Sequence, residues 1–152
     1  MSGLDRLEFL VGRWQGESED QFGEKGVIVS TMECTRDLDG RFLQLRGEST
    51  KDGAVLTRAV TYITFASKTQ RYVSKRMWSY GFIENGEGTW EDGDTLVFQI
   101  EFDNAPPEFS GTRWKSFIRR YGDNEIGHGL YTAKEGEAYR LYGETRQTKV
   151  RP

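Results

Sequence analysis

One segment near the start of the chain constrains the fold more than any other feature. It begins at Leu7 and reads LEFLVGRWQG. Leu7, Leu10 and Val11 fall at helical spacing, and so short a helix must pack onto something because it is not stable alone in water. The Gly12-x-Trp14 sequence that follows begins a strand. We therefore predict a short amphipathic helix over one mouth of a small closed β-barrel, with Trp14 sealing the base beneath it.

The rest of the chain is predicted to be all-β. Glycine occurs 18 times, and glycine-containing turn signals separate short β-prone runs, which is typical of antiparallel hairpins. No sustained helical apolar period follows residue 12, which argues against a parallel sheet with crossover helices. The predicted strands are residues 13–20, 26–37, 41–50, 54–66, 71–80, 86–91, 94–102, 111–121, 125–133 and 138–148.

Ten sequential strands with short connections leave no free edge only if the first and last strands pair. The expected fold is therefore a single domain over residues 1–152, a ten-stranded up-and-down antiparallel barrel; a two-sheet sandwich is the competing architecture. Alternation predicts that Leu96, Phe98 and Ile100 share the inward face of the seventh strand, and that Trp114 and Ile118 share that of the eighth. In the third and fourth strands both faces carry apolar residues, so the inward face stays open.

Composition excludes several classes of partner. The net charge is only -3, and the basic residues form no long run, so neither nucleic acid nor an anionic membrane is an expected partner. The single cysteine, Cys34, rules out an internal disulfide, and no signal segment begins the chain, so we expect a cytoplasmic protein. Cys34 and His128 are too few for a zinc site, so only a hard-cation site stays open, and we assign no metal ligands.

Three segments carry a resemblance to a known superfamily. They are residues 7–17 (LEFLVGRWQGE), 39–43 (DGRFL) and 86–90 (GEGTW). With these segments and its strand count and order, the chain resembles the calycin superfamily, and within it the lipocalin-like, nitrobindin-like group of bacterial barrels. The resemblance implies an internal site for a small apolar or amphipathic molecule.

The resemblance also raises the question of haem. Nitrobindin-like proteins hold haem through a histidine on a C-terminal strand, but the last predicted strand, 138–148, contains none. His128 lies one strand earlier, beside Ile126 and Leu130. It is either an axial ligand or proton-transfer group, or a histidine hydrogen-bonded within the barrel wall. We expect no cofactor, with haem as the alternative.

Aromatic and basic side chains are the remaining candidates for a binding site. Trp78, Tyr80, Phe98 and Trp114 either line an apolar pocket or simply fill the barrel. By strand parity Arg76 and Arg120 also face inward. An inward guanidinium needs a carboxylate partner, and few inward carboxylates are apparent, so an anionic ligand head group is favoured.

The sequence shows no catalytic constellation. No Gly-x-Ser-x-Gly elbow occurs, and Glu17 and Glu19 are expected on a solvated outer face. We therefore predict a protein that binds a small apolar or amphipathic molecule. The two arginines favour a molecule with an anionic head group. The alternatives are a nitrobindin-like haem protein and a barrel enzyme of cyclase or isomerase type, in which His128 or a tyrosine moves protons. A homodimer is an alternative assembly that stays open.

Overall fold

The computed structural model describes residues 3–151, apart from the side chain of Glu108, so positions 1, 2 and 152 of the expected domain lie outside the described residues. A short 3-10 helix, Asp5–Leu10, precedes the barrel, and a 3-10 turn, Pro107–Phe109, lies between the seventh and eighth strands. The strands are β1 (Gly12–Glu19), β2 (Val27–Asp37), β3 (Phe42–Lys51), β4 (Ala54–Ala66), β5 (Arg71–Trp78), β6 (Ile83–Trp90), β7 (Thr95–Phe102), β8 (Thr112–Gly122), β9 (Glu125–Lys134) and β10 (Arg140–Lys149).

The ten strands form a closed, up-and-down barrel, which confirms the predicted architecture. Each strand pairs in antiparallel fashion with its neighbours in the sequence, and β10 returns to pair with β1. That closing pair is short: Trp14 lies opposite Lys149, and Gln15 lies opposite Thr148. The sandwich alternative is therefore wrong, because its two sheets would each keep open edges.

Three predicted boundaries need correction: two lie at the β5–β6 hairpin, and the third is the start of β10, at Arg140 instead of residue 138. β5 ends at Trp78, because the backbone N–H of Trp78 bonds the Phe82 carbonyl at 2.9 Å and Gly81 turns the chain with a φ of 90°. β6 begins at Ile83, three residues before the predicted start at residue 86. Its glycines disfavour a strand by propensity, but a Cβ at Gly88 would lie only 2.7 Å from the Phe98 ring.

One end of the barrel is filled by the 3-10 helix. Leu7 and Leu10 are fully buried, and Trp14 is 1% exposed beneath them. The Trp14 Nε1–H donates to the Leu10 carbonyl at 2.8 Å, so the buried indole is satisfied. Outside, the Arg36 guanidinium binds Glu8 at 2.7 Å and Asp5 at 2.9 Å. The predicted cover over a tryptophan base is confirmed.

The structure also resolves the inward faces. On β7, Leu96, Phe98 and Ile100 are buried as predicted. On β3 the inward residues are Leu43 and Leu45, whereas their neighbours Phe42 and Gln44 are only half-buried. On β4, Ile63 is buried while Val55 is exposed, because the β3–β4 ladder shifts register between Ser49 and Thr50. Glu17 and Glu19 are exposed, as expected of the outer face of β1.

Replacing Trp14 with alanine should be among the most destabilising single changes. A buried tryptophan leaves a large cavity, and its loss also removes the bond to Leu10, so we expect the Trp14→Ala variant to lose about 3–5 kcal/mol of unfolding free energy. Gln15→Ala, on the exposed face of the same strand, is the control and should change it by less than about 0.5 kcal/mol. Urea denaturation measures both, and equal midpoints for the two variants would contradict the plugged-barrel account.

Candidate functional site

A cavity of about 340 Å³ opens at the barrel end opposite the 3-10 helix. Its floor is the inner surface of the hydrophobic core, where Leu10, Ile118 and Ile126 belong to both the core and the cavity lining. The volume lies near the lower end of the range of roughly 300–1,000 Å³ that is usual for small-molecule sites. The barrel is therefore filled at one end and hollow at the other.

Aromatic rings surround the mouth of this cavity. Trp114 has its ring centroid 5.2 Å from that of Tyr142 and 5.5 Å from that of Phe109, while Phe82 and Phe109 are 6.0 Å apart. The rings meet at steep angles, the edge-to-face geometry that aromatic pairs favour. We call this set the aromatic arc; its members are Tyr80, Phe82, Phe102, Phe109, Trp114 and Tyr142, all of which line the cavity.

Arg76 on β5 points into the hollow end. Its Nε–H donates to Thr61 Oγ1 at 2.9 Å, and its Nη1 lies 3.7 Å from Glu84 Oε2, an ion pair too long to be a hydrogen bond. The Glu84 side chain is 1% exposed and that of Arg76 is 19% exposed. The charge of Arg76 is thus paired, but of its five N–H donors only one is hydrogen-bonded within the described residues.

His128 on β9 belongs to a hydrogen-bonded chain in the barrel wall. Its Nε2 lies 3.0 Å from Gln147 Oε1, and Gln147 Nε2–H donates to Ser30 Oγ at 3.1 Å. Because a carbonyl oxygen can only accept, Nε2 carries the proton. Burial, helped by the positive charge of Arg76 and opposed by the bond to Gln147, lowers the pKa of His128 from its usual 6.5 to about 4. The imidazole is therefore neutral at physiological pH.

Three buried polar atoms have no hydrogen-bond partner among the described residues. They are Ser18 Oγ, Trp78 Nε1 and Glu84 Oε1. Ser18 and Trp78 line the cavity, and the Trp78 ring lies 5.1 Å from the guanidinium carbon of Arg76. A buried polar group without a partner costs about 1–3 kcal/mol, so the cavity lining has unused hydrogen-bonding capacity at these two separate positions.

The structure brings most of the candidate residues together around one space. Trp78, Tyr80, Phe98, Trp114, Arg76 and His128 all line the cavity. Tyr80 lies at the rim, 60% exposed, with its hydroxyl donating to the Leu56 carbonyl at 3.1 Å. Their part in binding stays a prediction, but their proximity is a property of the fold.

Arg120 is the exception, and its expected inward placement is wrong. Its guanidinium lies 4.8 Å from the centroid of the Phe9 ring at the closed end and binds Asp123 at 3.1 Å. The β8–β9 ladder shifts register between Arg120 and Gly122, and the side chain, 39% exposed, leaves the barrel instead of entering it. Strand parity fails here because the strand reaches the end of the barrel, which the helix fills.

The premise of two unmatched interior arginines is also wrong, since Glu84 neutralises the one that remains. Glu84 was missed because the predicted sixth strand began at residue 86. The sequence did contain a signal for it: Glu84 has the same strand parity as Gly86 and Gly88, and all three face the barrel interior. Phe109 and Tyr142 were missed because they lie in a loop and on the last strand, where alternation gave no inward assignment.

Metal-type side-chain clusters and membrane-spanning helices are both absent from the described residues. No group of three or more His, Cys, Asp or Glu side chains converges there as a metal site would require. No helix in residues 3–151 is long and apolar enough to cross a membrane.

The chain belongs to the protein family described as "Protein of unknown function (DUF1579)", whose model matches residues 5–141. Among solved structures it is similar to Rv2717c from M. tuberculosis, at 16% identity over 99% of both chains with a TM-score of 0.73, which shows a common fold. The structure of EF1p2_mFAP2b bound to DFHBI also aligns, at 16% identity over 99% of this chain and 100% of that one, but its TM-score of 0.34 does not show a shared shape. No curated protein matches.

The neutral, half-buried imidazole of His128 leads to a specific prediction about the pH dependence of stability. In the unfolded chain the pKa of His128 returns to about 6.5, so between pH 6.5 and about 4 the unfolded state binds more protons, and folding stability falls as the pH falls. His128 is the chain's one histidine, so His128→Gln removes this titration. We expect the stability of the wild type relative to His128→Gln to drop by about 2 kcal/mol between pH 7 and pH 4.5. If urea denaturation gives the same difference in unfolding free energy between the two proteins at pH 7 and at pH 4.5, a neutral His128 is contradicted.

Proposed function

We propose that this protein binds a small amphipathic molecule inside the barrel, with the apolar part at the aromatic arc and a hydrogen-bond acceptor at Arg76. The observation that carries the proposal is the state of Arg76: its side chain is largely buried, reaches an open cavity and keeps four N–H donors without a hydrogen-bond partner in the described chain. An acceptor atom of a ligand would satisfy them.

The shape of the cavity supports the same proposal. Sites for small molecules are concave and mainly apolar, with a few polar groups that fix the orientation of the ligand. Between an apolar floor and an aromatic mouth lies a polar wall. It consists of Arg76 and Thr61 on β5 and β4 and, across the barrel, the His128–Gln147 pair on β9 and β10. The resemblance to calycin barrels, which carry their site inside, also supports it.

The two alternative functions, haem binding and proton-transfer catalysis, rest on different properties of His128. For haem, His128 supplies a neutral imidazole in the cavity, but its Nε2–H is engaged by Gln147 and β10 contains no histidine. For proton-transfer catalysis, the low pKa of His128 makes it a weak base at neutral pH. Both stay predictions, and the absorbance spectrum separates the first: a Soret band in the purified protein, lost in His128→Ala, would replace our proposal with haem binding.

The binding proposal can be tested with Prodan, 6-propionyl-2-dimethylaminonaphthalene, whose emission shifts to the blue in an apolar site. Its ketone oxygen is the acceptor that Arg76 requires. A charge-assisted hydrogen bond contributes about 1.5–3 kcal/mol, so we expect Arg76→Met to weaken Prodan binding about ten- to a hundred-fold. Arg120→Met, at an arginine outside the cavity, is the matched control and should change it less than about two-fold.

A second variant controls for misfolding of Arg76→Met. Arg76→Met leaves the buried Glu84 carboxylate unpaired, so the double variant R76M/E84Q, which removes both charges, is measured beside it. It should fold and bind Prodan as weakly as the single variant. If the wild type gives no blue shift, or if Arg76→Met and Arg120→Met bind alike, the proposed site is contradicted.

A further inference from the structure

The charges that face the hollow end of the barrel sum to zero. Arg76 is paired with Glu84, and His128 is neutral, so no unmatched positive charge remains on the polar wall. At the rim Glu24 is offset by Lys51 at 3.5 Å, and Glu48 is offset by Arg58 at 2.8 Å. An anion that left water for this cavity would find no net charge to offset the cost of its desolvation.

Glu84 also acts directly against an anionic head group. Its Oε2 lies 3.7 Å from Arg76 Nη1, so an anion on Arg76 would stand close to a second carboxylate that is 1% exposed and little screened. An uncharged acceptor, such as a carbonyl oxygen, can take the free N–H donors of Arg76 without that repulsion. The polar wall therefore favours a neutral acceptor.

The aromatic arc at the mouth of the cavity favours ligands of a particular shape. In the aromatic arc Trp114, Phe109 and Tyr142 stand at interplanar angles of 64° and 81° with centroids 5.2–5.5 Å apart. Such an arrangement presents both faces and edges of rings, which suits a planar ring more than an alkyl chain. A rigid ligand also loses less conformational entropy on binding than a flexible one.

We propose that the cavity, if it is the binding site argued above, selects uncharged planar aromatic molecules that carry one hydrogen-bond acceptor, aryl ketones being the simplest, over carboxylates and over flexible alkyl chains. This inference rests on the proposed function and adds the chemical class of the ligand. It reverses the anionic preference that two unpaired arginines would have given.

Three probes of similar size test both selections. They are 2-acetonaphthone, 2-naphthoate, which replaces the ketone with a carboxylate on the same rings, and 2-dodecanone, which keeps the ketone and the number of carbon atoms on a flexible chain. Each probe is titrated as a competitor against Prodan bound to the wild-type protein at pH 7.5, and its affinity is obtained from the loss of the blue-shifted emission. We expect 2-acetonaphthone to bind at least about ten-fold more tightly than either of the others, a difference of about 1.4 kcal/mol.

Glu84→Gln should change the charge selection specifically. Removing that carboxylate leaves Arg76 unpaired, so 2-naphthoate should gain about ten-fold or more while 2-acetonaphthone changes less than about three-fold. Glu101→Gln removes the same charge from the exposed outer face of β7 and should change neither. Because an unpaired arginine destabilises the fold, circular dichroism and melting are measured with and without 2-naphthoate, which should raise the melting temperature of Glu84→Gln more than that of the wild type.

The outcomes separate the two proposals. If Prodan binds but 2-naphthoate or 2-dodecanone displaces it as well as 2-acetonaphthone does, this inference is overturned and the binding function stands. If Glu84→Gln leaves the preference for the ketone over the carboxylate unchanged, the role assigned to Glu84 is overturned. Failure of Prodan to bind the wild type overturns the proposed function and this inference with it.

Discussion

The packing of the 3-10 helix onto Trp14 determines where a site can exist in this barrel. Leu7, Leu10 and the Trp14 indole fill one end, and the bond from Trp14 Nε1–H to the Leu10 carbonyl satisfies the indole N–H that this packing buries. Because that end is solid, the cavity that reaches the barrel interior opens at the other end. The cavity is therefore blind, with one mouth and an apolar floor, and its polar groups lie between the two.

Those polar groups differ in how completely they are paired. Gln147, 2% exposed, bridges His128 and Ser30 and so ties β9, β10 and β2 together in the wall. Arg76 has its charge matched by Glu84 but most of its donors unused. A wall group that is fully bonded serves the fold, whereas one that is neutralised and under-bonded is available to a ligand. This distinction, more than the aromatic content of the barrel, identifies Arg76 as the centre of the proposed site.

Much of this architecture could be predicted from the sequence, because the signals are local. Glycine-containing turns delimit the strands, and regular alternation along β5 and β7 correctly turns Arg76, Trp78 and Phe98 inward. The same parity fails for Arg120, since alternation says nothing about where a strand passes the end of the barrel.

What was missed depends on contacts between distant segments. Glu84 lay outside the predicted sixth strand, because its glycine-rich sequence suits a strand only once Phe98 packs against it from β7. Without Glu84 the barrel interior is assigned a net positive charge, and an anionic ligand is inferred instead of a neutral one. Pairing of β1 with β10 and the assembly of the aromatic arc from three hairpin ends likewise exist only in the closed barrel.

The most direct test of this account is a crystal structure of the protein with 2-acetonaphthone bound. The account predicts the naphthalene ring within the aromatic arc, the ketone oxygen within about 3.2 Å of the Arg76 guanidinium, and the Arg76–Glu84 pair retained. A ligand bound outside the barrel, or an interior closed by its own side chains with no space at Arg76, would contradict it.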